Sequence, residues 1–117
     1  MNREELCERL VTFAIRIITL CKSLPNTPEA RMIRGQLLRS GTSPGAQYRE
    51  ACRARSPAEF ISKIESAQQE LDETEYWLVI IERTKMVNPK KLTALKTETL
   101  DLIKIFASSA RTAKSNR

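Results

Sequence analysis

Ser56-Pro57-Ala58-Glu59, followed by Phe60, Ile64, Ala67, Leu71, Thr74, Leu78 and Ile81, is the stretch whose reading decides the fold. The Ser hydroxyl can cap a helix start, Pro57 fits its first turn, and Glu59 three residues on completes a capping box. The apolar positions that follow alternate steps of four and three, the heptad stripe of an amphipathic helix. A helix is predicted over about 57–86. Upstream, Leu6, Leu10, Phe13, Ile17, Leu20 and Leu24 repeat the rhythm until Leu24-Pro25-Asn26 ends it, giving a first helix over about 3–24. Thr27-Pro28-Glu29 supplies a cap hydroxyl, a first-turn Pro and an acid at the positive helix end, so a second helix runs over about 28–54. Its stripe tracks Ile33, Leu37, Ser40, Pro44 and Ala51. Gly41-Thr42-Ser43-Pro44-Gly45 is its weak point, because Pro44 removes the bond to the Ser40 carbonyl. Sequence leaves both a kink and a break open there; because the small residues would admit a close neighbour, a kinked but continuous helix is favoured. Asn88-Pro89 opens a fourth helix over about 89–111, with Val87 placed to staple onto Leu92 and Leu95, Thr99, Leu102 and Phe106 continuing the stripe. A polar tail from Ser108 is expected to fray.

Four helices joined by connections of about two to four residues must lie antiparallel to their chain neighbours. The expected fold is all-α: one domain over 1–117, an antiparallel up-and-down four-helix bundle. The 3.5-residue stripe predicts a left-handed supercoil.

Composition narrows function by exclusion. The 117 residues include 20 Lys and Arg, 14 Asp and Glu, three Cys, three Gly and no His, for a formal charge of +6. Without His there is no His-dependent triad, His general base or His-containing zinc or di-iron site. Three Gly argue against a phosphate-cradling loop. Glu70, Glu73 and Glu75 suggest a carboxylate-bridged metal bundle, but such sites need a Glu-x-x-His pair. Glu59 is explained by capping, and Glu50 alone marks no acid–base pair. Cys7, Cys21 and Cys52 contain no C-x-x-C and are read as helix packing. No catalytic residue, metal or cofactor is expected, and the chain is read as a non-enzyme. Its N-terminus alternates charge, and no window reaches the roughly 18 apolar residues of a spanning helix. A cytoplasmic protein without membrane contact is expected.

Tyr76-Trp77-Leu78-Val79-Ile80-Ile81 covers every face of helix three, more than one core can bury. Helix one repeats this with Ile15 and Ile18 beside its stripe. A homo-oligomer is therefore expected, with Ile15, Ile18, Tyr76, Trp77, Val79 and Ile80 as candidate interface residues. Charge is divided by helix: basic and acidic residues number 4 and 3 up to Thr27, 6 and 2 from Pro28 to Arg55, 3 and 7 from Ser56 to Asn88, and 7 and 2 thereafter. One reading pairs Arg39, Arg49 or Arg53 with Glu65, Glu70 or Glu73 across helices. The functional reading makes helices two and four a surface for RNA or DNA phosphates. Its candidate residues are Arg31, Arg34, Arg49, Arg53, Arg55, Lys90, Lys91, Lys96, Lys104, Arg111 and Lys114. Lys90 and Lys91 sit at a helix N-terminus, where cations oppose the macrodipole and a bound anion would reconcile them.

Gln36-Leu37-Leu38-Arg39-Ser40-Gly41-Thr42-Ser43, Tyr48-Arg49-Glu50-Ala51-Cys52-Arg53-Ala54-Arg55-Ser56, Glu59-Phe60 and Glu73-Thr74-Glu75-Tyr76-Trp77-Leu78 form a further pattern. Over Phe13 to Ile81 it resembles the four-helix-bundle family encoded in intervening sequences of large-subunit ribosomal RNA genes. The resemblance implies a homopentamer around a central channel and no known enzymatic activity. It also implies kinship with the accessory subunit of diversity-generating retroelements, which works with a reverse transcriptase and nucleic acid. Many members carry Asn-Ile-Ala-Glu-Gly in helix two, where this chain has Gln47-Tyr48-Arg49-Glu50-Ala51, and Pro44 stands where Val or Ile is more usual. Arg39, Glu50 and Glu73 read as structural polar contacts between helices or subunits. Two functions follow: a nucleic-acid-associated accessory protein, or a scaffold that binds another protein and no nucleic acid.

Overall fold

The first three helix starts are each fixed by a side chain that accepts an otherwise unpaired backbone N–H. Asn2 Oδ1 accepts from Glu5 N at 2.8 Å, Thr27 Oγ1 from Ala30 N at 3.2 Å and Ser56 Oγ from Glu59 N at 3.1 Å. Glu59 Oε2 reaches back to Arg55 N at 2.9 Å, closing the box one residue earlier than the ideal. The computed structural model describes residues 1–116: α1 (Arg3–Lys22), α2 (Pro28–Cys52), α3 (Pro57–Arg83), a 3₁₀ turn (Pro89–Lys91) and α4 (Thr93–Ser115). The described residues form a four-helix bundle and contain no strand.

α1 and α2 each end two residues earlier than the sequence expectation, and three further boundaries depart from it. α3 stops at Arg83, because Lys85 turns left-handed at φ 57° while Met86 N donates to Ile81 O at 3.2 Å, which ends the helix in a Schellman-type cap. The expected fourth helix begins as the 3₁₀ turn, where Asn88 Oδ1 accepts from Lys90 N at 3.0 Å, and becomes α-helical only at Thr93. The segment from Ser108 does not fray but stays helical through Ser115, since Ala110 is buried and Lys114 reaches Glu65 at 2.7 Å.

α2 is continuous through Pro44. On the turn before the missing N–H, Thr42 Oγ1 donates to Leu38 O and Ser43 Oγ to Arg39 O, both at 2.6 Å. Gly41 permits the close approach of α1: a Cβ here would lie 2.7 Å from Ile17 Cγ1.

The core is the set of heptad positions, among them Leu10, Phe13, Ile17, Leu37, Ile64, Leu71, Leu78, Leu102 and Phe106. Each large apolar side chain fully removed from water contributes about 1.5–3 kcal/mol. At the start of α3 the core residue is Ile61 rather than Phe60, whose half-buried ring instead carries the Arg3 guanidinium 5.5 Å from its centroid. Inside the core, Thr74 Oγ1 donates to Ser40 Oγ at 2.9 Å, satisfying both buried hydroxyls. Further pairs set the register: Gly45 faces Leu10 between α1 and α2, Lys63 meets Glu50 between α2 and α3, Lys96 meets Glu82 between α3 and α4, and Arg9 meets Glu98 between α1 and α4. The chain measures 47 × 23 × 21 Å, so the bundle has two well-separated ends.

Candidate nucleic-acid interface

α2 and α4 do not form one basic face. Arg49, Arg53 and Arg55 close α2 beside the start of α3, and Arg111 and Lys114 lie at the same end, because Lys63 pairs with Glu50 at 2.9 Å and Glu65 with Lys114. Arg31, Lys90 and Lys91 lie at the opposite end, with the α1–α2 and α3–α4 connections, and Lys104 is exposed between the two ends. Several candidates already have protein partners. Arg34 donates to the carbonyls of Cys21 at 3.2 Å, Leu24 at 3.2 Å and Pro25 at 3.3 Å, stitching the C-terminus of α1. Lys96 binds Glu82 at 2.6 Å and Arg31 donates to Asn26 at 3.0 Å.

The end that carries both connections, here the loop pole, gathers the charge. Residues 16–34 and 82–96 hold nine of the 20 Lys and Arg but only two of the 14 acids, so the remainder of the chain is nearly neutral. Lys22, Arg31, Arg83, Lys85, Lys90 and Lys91 are all exposed there. Glu82 is taken up by Lys96, leaving Glu29 as the exposed acid of the two segments. Between the end of α1 and the start of α4 an open cleft of about 340 Å³ is lined by Arg16, Thr19, Leu20, Ser23, Lys91 and Leu95. Its cations and hydroxyls are the groups that bind phosphate oxygens. Like charges packed within a Debye length of about 8 Å reinforce one another's potential.

Arg16, Lys22, Arg83 and Lys85 were missed by counting charge helix by helix. Arg83 and Lys85 fall in the acidic third of the sequence though only a few residues before Lys90 and Lys91, and the fold sets Arg16 and Lys22 of α1 at the same pole. Their one sequence signal is position, since all four lie near the ends of helices flanking two short connections.

At the opposite pole the cations are interleaved with acids. Arg3, Arg49 and Arg53 share a cleft with Glu4 and Glu8, and Glu50 and Glu59 stand beside Arg55 and Lys63. The hydrogen bond from Lys63 to Glu50 raises the lysine pKa above its ordinary value. Arg39 bridges Glu70, at 2.8 Å, and Glu73, so that this part of the charge division is an interhelix network of α2 with α3. Among the apolar candidates, Ile15 (57% exposed), Ile18 and Tyr76 (55%) face outward, joined by Met32 (54%), which the sequence reading did not single out. Trp77 and Ile80 pack against the rim of the core, and Val79 is half-buried.

The family model of the 23S rRNA-intervening sequence protein matches residues 4–108, from the first turn of α1 well into α4. The chain belongs to this family. A crystal structure of an S23 ribosomal protein family member of unknown function from Bacteroides thetaiotaomicron is similar at 35% sequence identity and a TM-score of 0.86. The match covers 95% of this chain and 99% of that one. No curated protein matches. For this 23S rRNA-intervening sequence family member, the helical architecture is thus shared end to end with a solved relative. Among its described residues no helix is long and apolar enough to cross a membrane.

Proposed function

We propose that the protein is a non-enzymatic, nucleic-acid-associated accessory protein of the cytoplasm that grips RNA or DNA phosphates with its loop pole and works as a homo-oligomer. The observation that carries the reading is the polarity of charge, with nearly all of the surplus at one end of a neutral rod. A bundle needs no such arrangement for folding, because clustered cations repel one another. The bundle is read as antiparallel, up-and-down and left-handed. In support, paired residues run in opposite directions along neighbouring helices: Arg39 with Glu73 but Glu50 with Lys63, and Glu82 with Lys96 but Glu65 with Lys114. Assembly is read as a homopentamer from the family resemblance, with Ile15, Ile18 and Tyr76 as the apolar faces available for it. A ring would present several loop poles to one strand and multiply modest single-site affinity.

The test is fluorescence anisotropy of the purified protein, freed of bound nucleic acid, against labelled single- and double-stranded RNA and DNA. Affinity should fall on a log–log salt plot with a slope of about −0.7 to −0.9 per phosphate neutralised. Reversing Lys85, Lys90 and Lys91 to Glu should weaken binding at least tenfold and flatten that slope. Reversing Arg49 and Arg53 should change it less than threefold. Equal losses from the two poles, or no binding at low salt, would defeat the proposal. The second outcome would favour a protein-binding scaffold presenting Met32 and Tyr76.

A further inference from the structure

We propose that Cys7 of α1 and Cys52 of α2 form a redox-active dithiol, a modification site at which a hydroperoxide closes a disulfide between the two helices. The residues are 45 positions apart in sequence, yet both line the same open cleft of about 440 Å³ with three arginines, Arg3, Arg49 and Arg53, against two acids, Glu4 and Glu8. The register of α1 on α2 brings them there: Gly41 meets Ile17 and Gly45 meets Leu10, and one to two turns further along Cys52 comes level with Cys7. Both are free thiols and half-buried, and Cys52 is close enough to act on the Cys7 thiol. Packing alone asks for neither the solvent opening nor the arginines, whose charge favours thiolate over thiol.

The two sulfurs have different roles. Burial and the neighbouring Cys52 push the Cys7 thiol above its ordinary value, with Arg49 partly opposing. Cys52 takes the attacking role because Arg49 and Arg53, its neighbours at the end of α2, line the cleft beside it. The Cys52 thiolate attacks one oxygen of the hydroperoxide; the S–O bond forms, the O–O bond breaks, and the other oxygen leaves as alkoxide or hydroxide and takes a proton. Cys7 then attacks the sulfenic sulfur of Cys52, the S–S bond forms, and the hydroxyl departs as water with the proton from Cys7. Two thiols lose two electrons and the hydroperoxide gains them.

Cys21 is the internal control. It is buried, its thiol is pushed up to about 11 by that burial, and its sulfur lies 4.0 Å from the Arg34 carbonyl oxygen.

The experiment treats the full reduced chain with tert-butyl hydroperoxide, alkylates remaining thiols and maps peptides by mass spectrometry without reduction. The expected product is an intramolecular Cys7–Cys52 peptide pair two hydrogens lighter than its reduced parts, reversed by dithiothreitol, with Cys21 alkylated as before. Cys7 and Cys52 should be lost at least tenfold faster than Cys21. Cys21→Ser should keep the product and Cys7→Ser should abolish it, leaving a Cys52 sulfenic acid that dimedone traps. Helical circular dichroism confirms that each variant is folded. Loss of Cys21 at the same rate, linkage only between chains, or two unreacted thiols after free glutathione is fully oxidised under the same conditions would each overturn the proposal.

Discussion

Lys85 holds a left-handed backbone position that a glycine would fill without a Cβ clash. The Lys85→Gly variant should therefore be more stable by about 1 kcal/mol, read as a rise in melting temperature of several degrees. It should also bind nucleic acid more weakly, since it removes one exposed cation of the loop pole. Stability and binding moving in opposite directions would mark Lys85 as a residue kept for its charge; unchanged binding would leave it without that role. Gly41 makes the opposite case. An alanine Cβ there would sit 2.7 and 2.8 Å from Ile17 Cγ1 and Cγ2, distances that force α1 and α2 apart. Gly41→Ala should cost about 1–3 kcal/mol by overpacking, whereas Gly45→Ala, whose Cβ would meet Leu10 Cβ at 3.5 Å, should be tolerated. Chemical denaturation of the two variants side by side checks this, and equal stabilities would show that the helices can part without loss.

At the scale of elements, what is local is legible and what is mutual is not. The caps at Thr27 and Ser56 each act within three residues, so sequence alone places the starts of α2 and α3 where the structure has them. The heptad stripe does the same for the core, with a single slip from Phe60 to Ile61 where Arg3 of another helix claims the aromatic face. The end of α3 was not legible, because a left-handed cap is expected at Gly or Asn and here falls on Lys85. Nor was the helical tail, whose order depends on Glu65, 49 residues earlier in the chain on α3. Trp77 extends the point. Its Nε1 is buried without a hydrogen-bond partner in the single chain, and such a group costs about 1–3 kcal/mol of desolvation. Trp77→Phe should thus leave the stability of the isolated chain unchanged or slightly higher. Chemical denaturation checks this, and a loss of more than about 1 kcal/mol would show that the N–H has a partner after all.

For the molecule as a whole, the candidate site was half-legible for a geometric reason. A basic excess is visible in composition, and Arg31, Lys90 and Lys91 could be chosen from sequence. Counting by helix nevertheless joined residues from opposite ends of a rod 47 Å long, while Arg16 and Lys22 of α1 joined Arg83, Lys85 and Lys91 only when two loops met at one pole. That pole should be electrostatically strained in the empty protein. Its exposed cations repel, and the ion pair of Lys96 with Glu82 answers only one of them. A polyanion that binds the folded state alone stabilises it by RT ln(1 + [L]/Kd), about 2.7 kcal/mol at a hundredfold excess over Kd. Tripolyphosphate or a short oligonucleotide, compared with sodium chloride at equal ionic strength, should therefore raise the melting temperature by several degrees. The Lys90→Glu, Lys91→Glu double variant should lose most of that rise while starting from an equal or higher melting temperature, because relieving repulsion favours the fold. Reversal of Arg49 and Arg53 should retain the rise, since those cations already stand among acids. A shift that matches sodium chloride, or that survives in the double variant, would reduce the loop pole to general screening and separate its charge from any ligand.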